Sequence, residues 1–141
     1  MLIKYLDQKL VTGKFQDLEQ IKAIKNGVVE AVGYLIKEDE TGYLLASTIN
    51  GGGYNGLLFV PRQVVAEVDP DYTGIEVNYY EVQGISRLVS KDKLATLPLP
   101  PVVRLCGFEA YRSEDTVYIA QEKNEAGNFR TITAIPIKYL V

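Results

Sequence analysis

The chain has 141 residues, 47% of them hydrophobic and 23% charged, with a net charge of −3. That length holds one ordinary domain or two very small ones, and the composition excludes disordered and fibrous classes. The single Cys106 excludes an internal disulfide and a thiolate zinc site, and the absence of His removes Ser–His and Cys–His catalysis and the usual imidazole metal ligand.

Residues 2–6 read as a short strand. Residues 17–24 (DLEQIKAI) place Leu18, Ile21 and Ile24 at helical spacing, with Asp17 as N-cap and Gly27 as the stop. Residues 28–37 form a long β-rich run interrupted by Gly33. An isolated Gly inside a strand marks a bulge or a sharp bend. The run Glu38-Asp39-Glu40-Thr41-Gly42 is a turn, and residues 43–49 are a second long strand. Asn50, Gly51, Gly52 and Gly53 open a glycine-rich loop, NGGGYNG, with Tyr54 near its tip. Residues 57–60 are a third strand, Pro61-Arg62-Gln63 a tight turn, and 64–68 a last short strand. Residues 69–74 are a linker with turn chemistry.

The rest of the chain repeats this plan. Residues 28–60 lie over 102–134 at an offset of 74 without a gap. Val28, Val29, Gly33, Glu40, Ala46, Asn50 and Gly53 meet identical residues at Val102, Val103, Gly107, Glu114, Ala120, Asn124 and Gly127. Tyr34 over Phe108 keeps an aromatic, and one residue inserted after Val60 brings Pro61 over Pro136. Upstream, Tyr5 falls on Tyr79. The helix has no counterpart: KDKLATLPLPP stands in its place, and its prolines forbid regular helix from Leu97 onward. A collinear repeat of this kind points to internal duplication.

Five short strands, a bent second strand and a one-turn connection before the last strand describe an SH3-like or Sm-like barrel. The expected fold class is mainly β, with one short helix and two such barrels in tandem: residues 1–68, a linker over 69–74, and residues 75–141. The ending GLLFVPRQVVAEV resembles the end of SH3-type barrels. The aromatic-acidic motif and Trp of the peptide-binding SH3 pattern are missing, so binding of Pro-rich peptides does not carry over. The combination of an acidic helix like DLEQIKAI, strands like VGYLIKED and YLLAST, and an ending like VPRQVV is similar to small bacterial and phage-encoded proteins of unknown function. That resemblance implies a fold and a mobile-element origin rather than an activity.

Candidate sites are few. NGGGYNG can in principle cradle a phosphate, but no Lys-Ser or Lys-Thr follows, and the next element is a strand, so the P-loop pattern fails. The loop reads as a contact loop carried by Tyr54. Glu38, Asp39 and Glu40 read as a solvated turn rather than a cation site. Pro98-Leu99-Pro100-Pro101 reads as a rigid entry into the strand at Val102. Tyr79 and Tyr80 are adjacent, so one faces the core and the other is an exposed anchor. Cys106 reads as a packed apolar residue. Along 57–60, the ungapped offset places Leu57 and Phe59 over Thr131 and Thr133. An apolar outer face in the first unit only implies a cover there, with the helix as one option. The alternative is an interface.

The leading expectation is a non-enzymatic protein-binding module without cofactor or metal, of the kind a phage or mobile element uses as an accessory or inhibitor (anti-defence) protein. The binding residues are Tyr54, Leu57, Phe59, Tyr79 and Tyr80, with the loop Asn50, Gly51, Gly52, Gly53. The partner is another protein or a second copy. The alternatives are a small-nucleotide-binding protein and a structural subunit of a phage particle. Scattered Lys and Arg argue against long nucleic acid. No run approaches the roughly 20 apolar residues of a membrane span, and there is no secretory leader, so the expected location is the cytoplasm.

Overall fold

Alternating apolar and polar residues produce ten antiparallel-paired strands among the described residues. They are β1 (Leu2–Leu6), β2 (Val28–Val32), β3 (Tyr34–Asp39), β4 (Gly42–Asn50), β5 (Gly53–Pro61), β6 (Val65–Asp69), β7 (Ile75–Tyr80), β8 (Val102–Arg112), β9 (Thr116–Asn124) and β10 (Phe129–Pro136). Two short helices, α1 (Leu18–Ala23) and α2 (Lys91–Leu94), complete the set. The computed structural model describes residues 1–82, 86–96 and 102–141, so the Pro98-Leu99-Pro100-Pro101 run lies outside the described residues. The strands join into one curled, half-barrel sheet. Among the described residues no helix is long and apolar enough to cross a membrane.

The first six strands pair β1 with β2 and β6, β3 with β4, and β4 with β5. The last four pair β7 with β8, β8 with β9, and β9 with β10, and a bridge from Tyr79 to Leu140 stands where β1 meets β6. The registers coincide. Tyr34↔Ala46 and Leu35↔Leu45 become Phe108↔Ala120 and Glu109↔Ile119, and both ladders break at the same step, between Leu35 and Lys37 and between Glu109 and Tyr111. A proline and one 3-10 turn lead into β6 in the first half (Arg62–Val64) and into the single bridge residue Leu140 in the second (Ile137–Tyr139).

Gly33 separates β2 from β3, and Gly107 lies inside β8 at the matching place. A Cβ on Gly33 would come 2.9 Å from the Ala46 carbonyl oxygen and 2.8 Å from the Leu45 Cβ. On Gly107 it would come 2.5 Å from the Ala120 oxygen and 2.8 Å from the Ile119 Cγ2. Both glycines are required because the bent strand presses on the backbone of the next one.

Three expectations need correction. Helix α1 is capped as expected, with Asp17 Oδ1 accepting from the Gln20 N–H and the Gln20 side chain accepting from the Asp17 N–H. It ends at Ile24, which is extended, so Gly27 is not its stop. The glycine stretch is a two-residue turn, because Asn50 pairs with Gly53 and β5 already runs from Gly53. The extra residue of the second half sits in that turn, between Asn124 and Asn128, rather than after Val60. From β5 onward the matching offset is therefore 75: Thr48↔Asn55 corresponds to Glu122↔Arg130, and Tyr43↔Val60 to Val117↔Ile135. Gly56 (φ 63°) thereby falls on Thr131 (φ 58°), the one non-glycine with positive φ among the described residues.

That shift overturns the argument for a covered face. Leu57 corresponds to Ile132 and Phe59 to Ala134, and Leu57, Phe59 and Ile132 are 59%, 52% and 52% exposed. Among the described residues neither outer face is covered, and α1 buries none of its residues.

Two cores of matching composition result. Ile3, Tyr5, Val29, Leu45 and Val60 build one. Val77, Tyr79, Leu105, Ile119 and Ile135 belong to the other. A third cluster, with Val32, Cys106 and Phe108 at its centre, lies where the halves meet. There β4 pairs with β8 through Thr48↔Leu105 and Ile49↔Arg104, and β2 pairs with β9 through Ala31↔Glu122 and Glu30↔Lys123.

Candidate functional site

Strand β5 gathers three of the five sequence-derived binding residues, Tyr54, Leu57 and Phe59. It pairs with β4 along one side, and no strand pairs with its other side among the described residues. Its sequence, GYNGLLFVP, contains no charge. Alternation sends Tyr54 to one face, with Leu58 and Val60, and Leu57 and Phe59 to the other. Val60 is buried in the first core, whereas Tyr54 is 55% exposed. Three large exposed side chains thus line one free edge. The equivalent edge of β10 carries Arg130 beside the exposed Ile132, and a charge on an edge strand discourages strand addition.

The turn glycines and Tyr80 sit around the other side of Tyr54. Register places Tyr54, Ile49, Arg104 and Asn78 in one row across β5, β4, β8 and β7. With Asn50, Gly51, Gly52 and Gly53, this row lines an open groove of about 590 Å³. Arg104, one of the groove's lining residues, forms an exposed pair with Glu76 at 3.9 Å. Tyr80 stands opposite Val102 at the groove's end and is exposed. Tyr79 does not join them: it packs on the second core, and burial pushes its hydroxyl pKa up.

Sequence reasoning missed the most structured polar cluster. Glu122 is 4% exposed, and its carboxylate accepts from the Tyr5 hydroxyl (2.6 Å), Arg130 Nε (2.6 Å) and Nη2 (3.0 Å), and Thr131 Oγ1 (3.2 Å). Arg130 also donates to Asp7 Oδ2 at 2.9 Å. Burial pushes the Glu122 pKa up, but the bonds from Arg130 and Tyr5 outweigh it and hold the carboxyl below its ordinary value. Every member is partnered, so the cluster reads as a clamp between the halves. Its available signal was the cross-strand pairing of Glu122 with Arg130, which needed the correct hairpin register.

The remaining candidates are structural. Cys106 is fully buried, and burial pushes its thiol up to about 11, which leaves almost no thiolate at neutral pH. Asp39 accepts from the Thr41 side chain and backbone, which hold it down at about 2, and Glu38 pairs with Arg62 at 3.3 Å. Among the described residues no group of three His, Cys, Asp or Glu is placed to hold a metal ion. No protein-family model matches the chain, and no curated protein or solved structure matches it with significance.

Proposed function

We propose that the chain is a non-enzymatic, cytoplasmic protein-binding module made of two tandem, duplicated SH3-like units, and that it engages its partner by strand addition along β5. The observation that carries this is the free nine-residue edge of β5, uncharged, with Tyr54, Leu57 and Phe59 exposed. An extended segment laid along that edge completes its backbone hydrogen bonds, while the exposed side chains on the two faces supply specificity. Aromatic residues and Arg are enriched in such interfaces, and Arg104 and Tyr80 lie within reach of the same contact. Support for the two-unit reading comes from the shared pairing order, the matched ladder breaks and the equivalent contacts of Gly33 and Gly107. An accessory or inhibitor protein of a phage or mobile element is one version of this role.

The test is native mass spectrometry of the chain recovered from its source cells, wild type beside a Leu57→Lys, Phe59→Lys variant. The expected result is a stoichiometric protein partner on the wild type and none on the variant, which keeps its melting temperature. A bound small molecule that survives in the variant and is lost in Arg104→Ala supports a nucleotide ligand in the groove instead. Equal capture of the partner by both proteins refutes the β5 contact.

A further inference from the structure

The two pairings across the seam are reciprocal. Thr48↔Leu105 and Ile49↔Arg104 lie on one side, Glu122↔Ala31 and Lys123↔Glu30 on the other. Advancing Thr48 and Ile49 by 74 positions gives Glu122 and Lys123, and setting Leu105 and Arg104 back by 74 gives Ala31 and Glu30. A two-fold rotation makes this exchange, whereas a head-to-tail arrangement uses a different surface on each partner. Residues beside a two-fold axis meet their own counterparts, and the seam cluster does this. Val32 packs with Cys106, its counterpart, and Tyr34 packs against the cluster that holds Phe108, its counterpart.

We infer that each half carries a homotypic docking surface, the β2 or early β8 segment with the end of β4 or β9, whose fitting partner is a second copy of the same unit. In this chain the other half occupies it about a pseudo-two-fold axis. The inference rests on the two-unit reading above and is independent of what β5 binds.

The axis assigns a twin to the Glu122 clamp. Tyr5, Glu122, Arg130 and Asp7 map onto Tyr79, Thr48, Asn55 and Glu81. Tyr79 and Glu81 keep the chemistry of their counterparts, and Thr48 pairs directly with Asn55 as Glu122 does with Arg130. The twin site therefore has the framework for the same clamp but lacks its ion pair and the Thr131 hydroxyl, in whose place Gly56 stands.

The experiment installs that pair in the full chain. Thr48→Glu and Asn55→Arg are made singly and together, with and without Tyr79→Phe, and unfolding is followed in urea. The double variant is expected to exceed the sum of the singles by about tenfold in the unfolding equilibrium constant, a coupling typical of contacting groups. Tyr79→Phe is expected to reduce that coupling. No coupling, or a coupling indifferent to Tyr79, overturns the proposal. The reverse exchange guards against a variant that fails to fold. Glu122→Thr with Arg130→Asn and Thr131→Gly copies the twin site and is expected to be more stable than Arg130→Asn alone, and a less stable triple variant overturns the proposal. Both readouts are of stability, so their failure leaves the β5 contact standing, and failure of partner capture leaves the axis standing.

Discussion

Replacing Arg130 by Met removes three donors to acidic groups at the seam while keeping the length of the aliphatic stem. Glu122 stays buried and keeps only the Tyr5 and Thr131 hydroxyls. Breaking a buried ion pair by deleting one partner costs roughly 3–5 kcal/mol. Arg130 is itself about half exposed, so only one of the two charges is truly desolvated. The expected loss at pH 7 is therefore near the lower end, about 2–3 kcal/mol, or roughly 8–12 °C in Tm for a chain of this size. The deficit depends on pH in a stated direction. In the wild type the folded Glu122 pKa is depressed, so its contribution is present above the unfolded value of about 4.3 and is lost as pH falls through the folded value. Without Arg130, burial is opposed only by the Tyr5 and Thr131 bonds, so the folded pKa rises from its wild-type position. The variant's penalty is then largest at neutral pH and shrinks as pH falls toward about 4. Urea unfolding of both proteins between pH 7 and 4 reads this directly. A loss under about 0.5 kcal/mol at pH 7, the scale of a surface substitution, or a deficit that does not change with pH, refutes the clamp.

Gly33→Ala and Gly107→Ala are each expected to lower stability by about 2 kcal/mol or more, because the added Cβ meets strand backbone that cannot retreat; differential scanning fluorimetry checks this. Thr131→Gly relieves a β-branched residue at φ 58° but loses a hydrogen bond to Glu122, so its Tm is expected to change little. Gly56→Thr is expected to be destabilising, since it places a β-branched residue at φ 63° with its Cβ 3.0 Å from Ser47 Cβ. Cys106 is expected to resist a thiol reagent at pH 8 in the native protein and to react within seconds in urea. Rapid stoichiometric labelling without denaturant contradicts its burial.

Local signals in the sequence were legible because they act over few residues. Asp17 caps α1 through its own side chain, and Gly33 and Gly107 mark the bends because only a missing Cβ fits there. The face of β5 and β10 was misread for an equally local reason. The Gly53 and Gly127 identity pulled the inserted residue out of the turn, and a slip of one residue turns every side chain to the opposite face. The seam was beyond reach, since pairings such as Glu30↔Lys123 join residues far apart in the chain. The Glu122 clamp was hidden for both reasons: it needs the right hairpin register and the contact with Tyr5. Of the binding candidates, Tyr54, Leu57 and Phe59 share one strand and Tyr80 borders the groove, whereas Tyr79 belongs to the core.

Amide hydrogen exchange tests the central claim most directly, comparing the free chain with the chain bound to its captured partner. The account predicts new protection over Gly53–Pro61 on β5 and none along Phe129–Pro136 on β10. Protection confined to β10, or to the groove at Arg104 and Tyr80 with β5 unchanged, would contradict it.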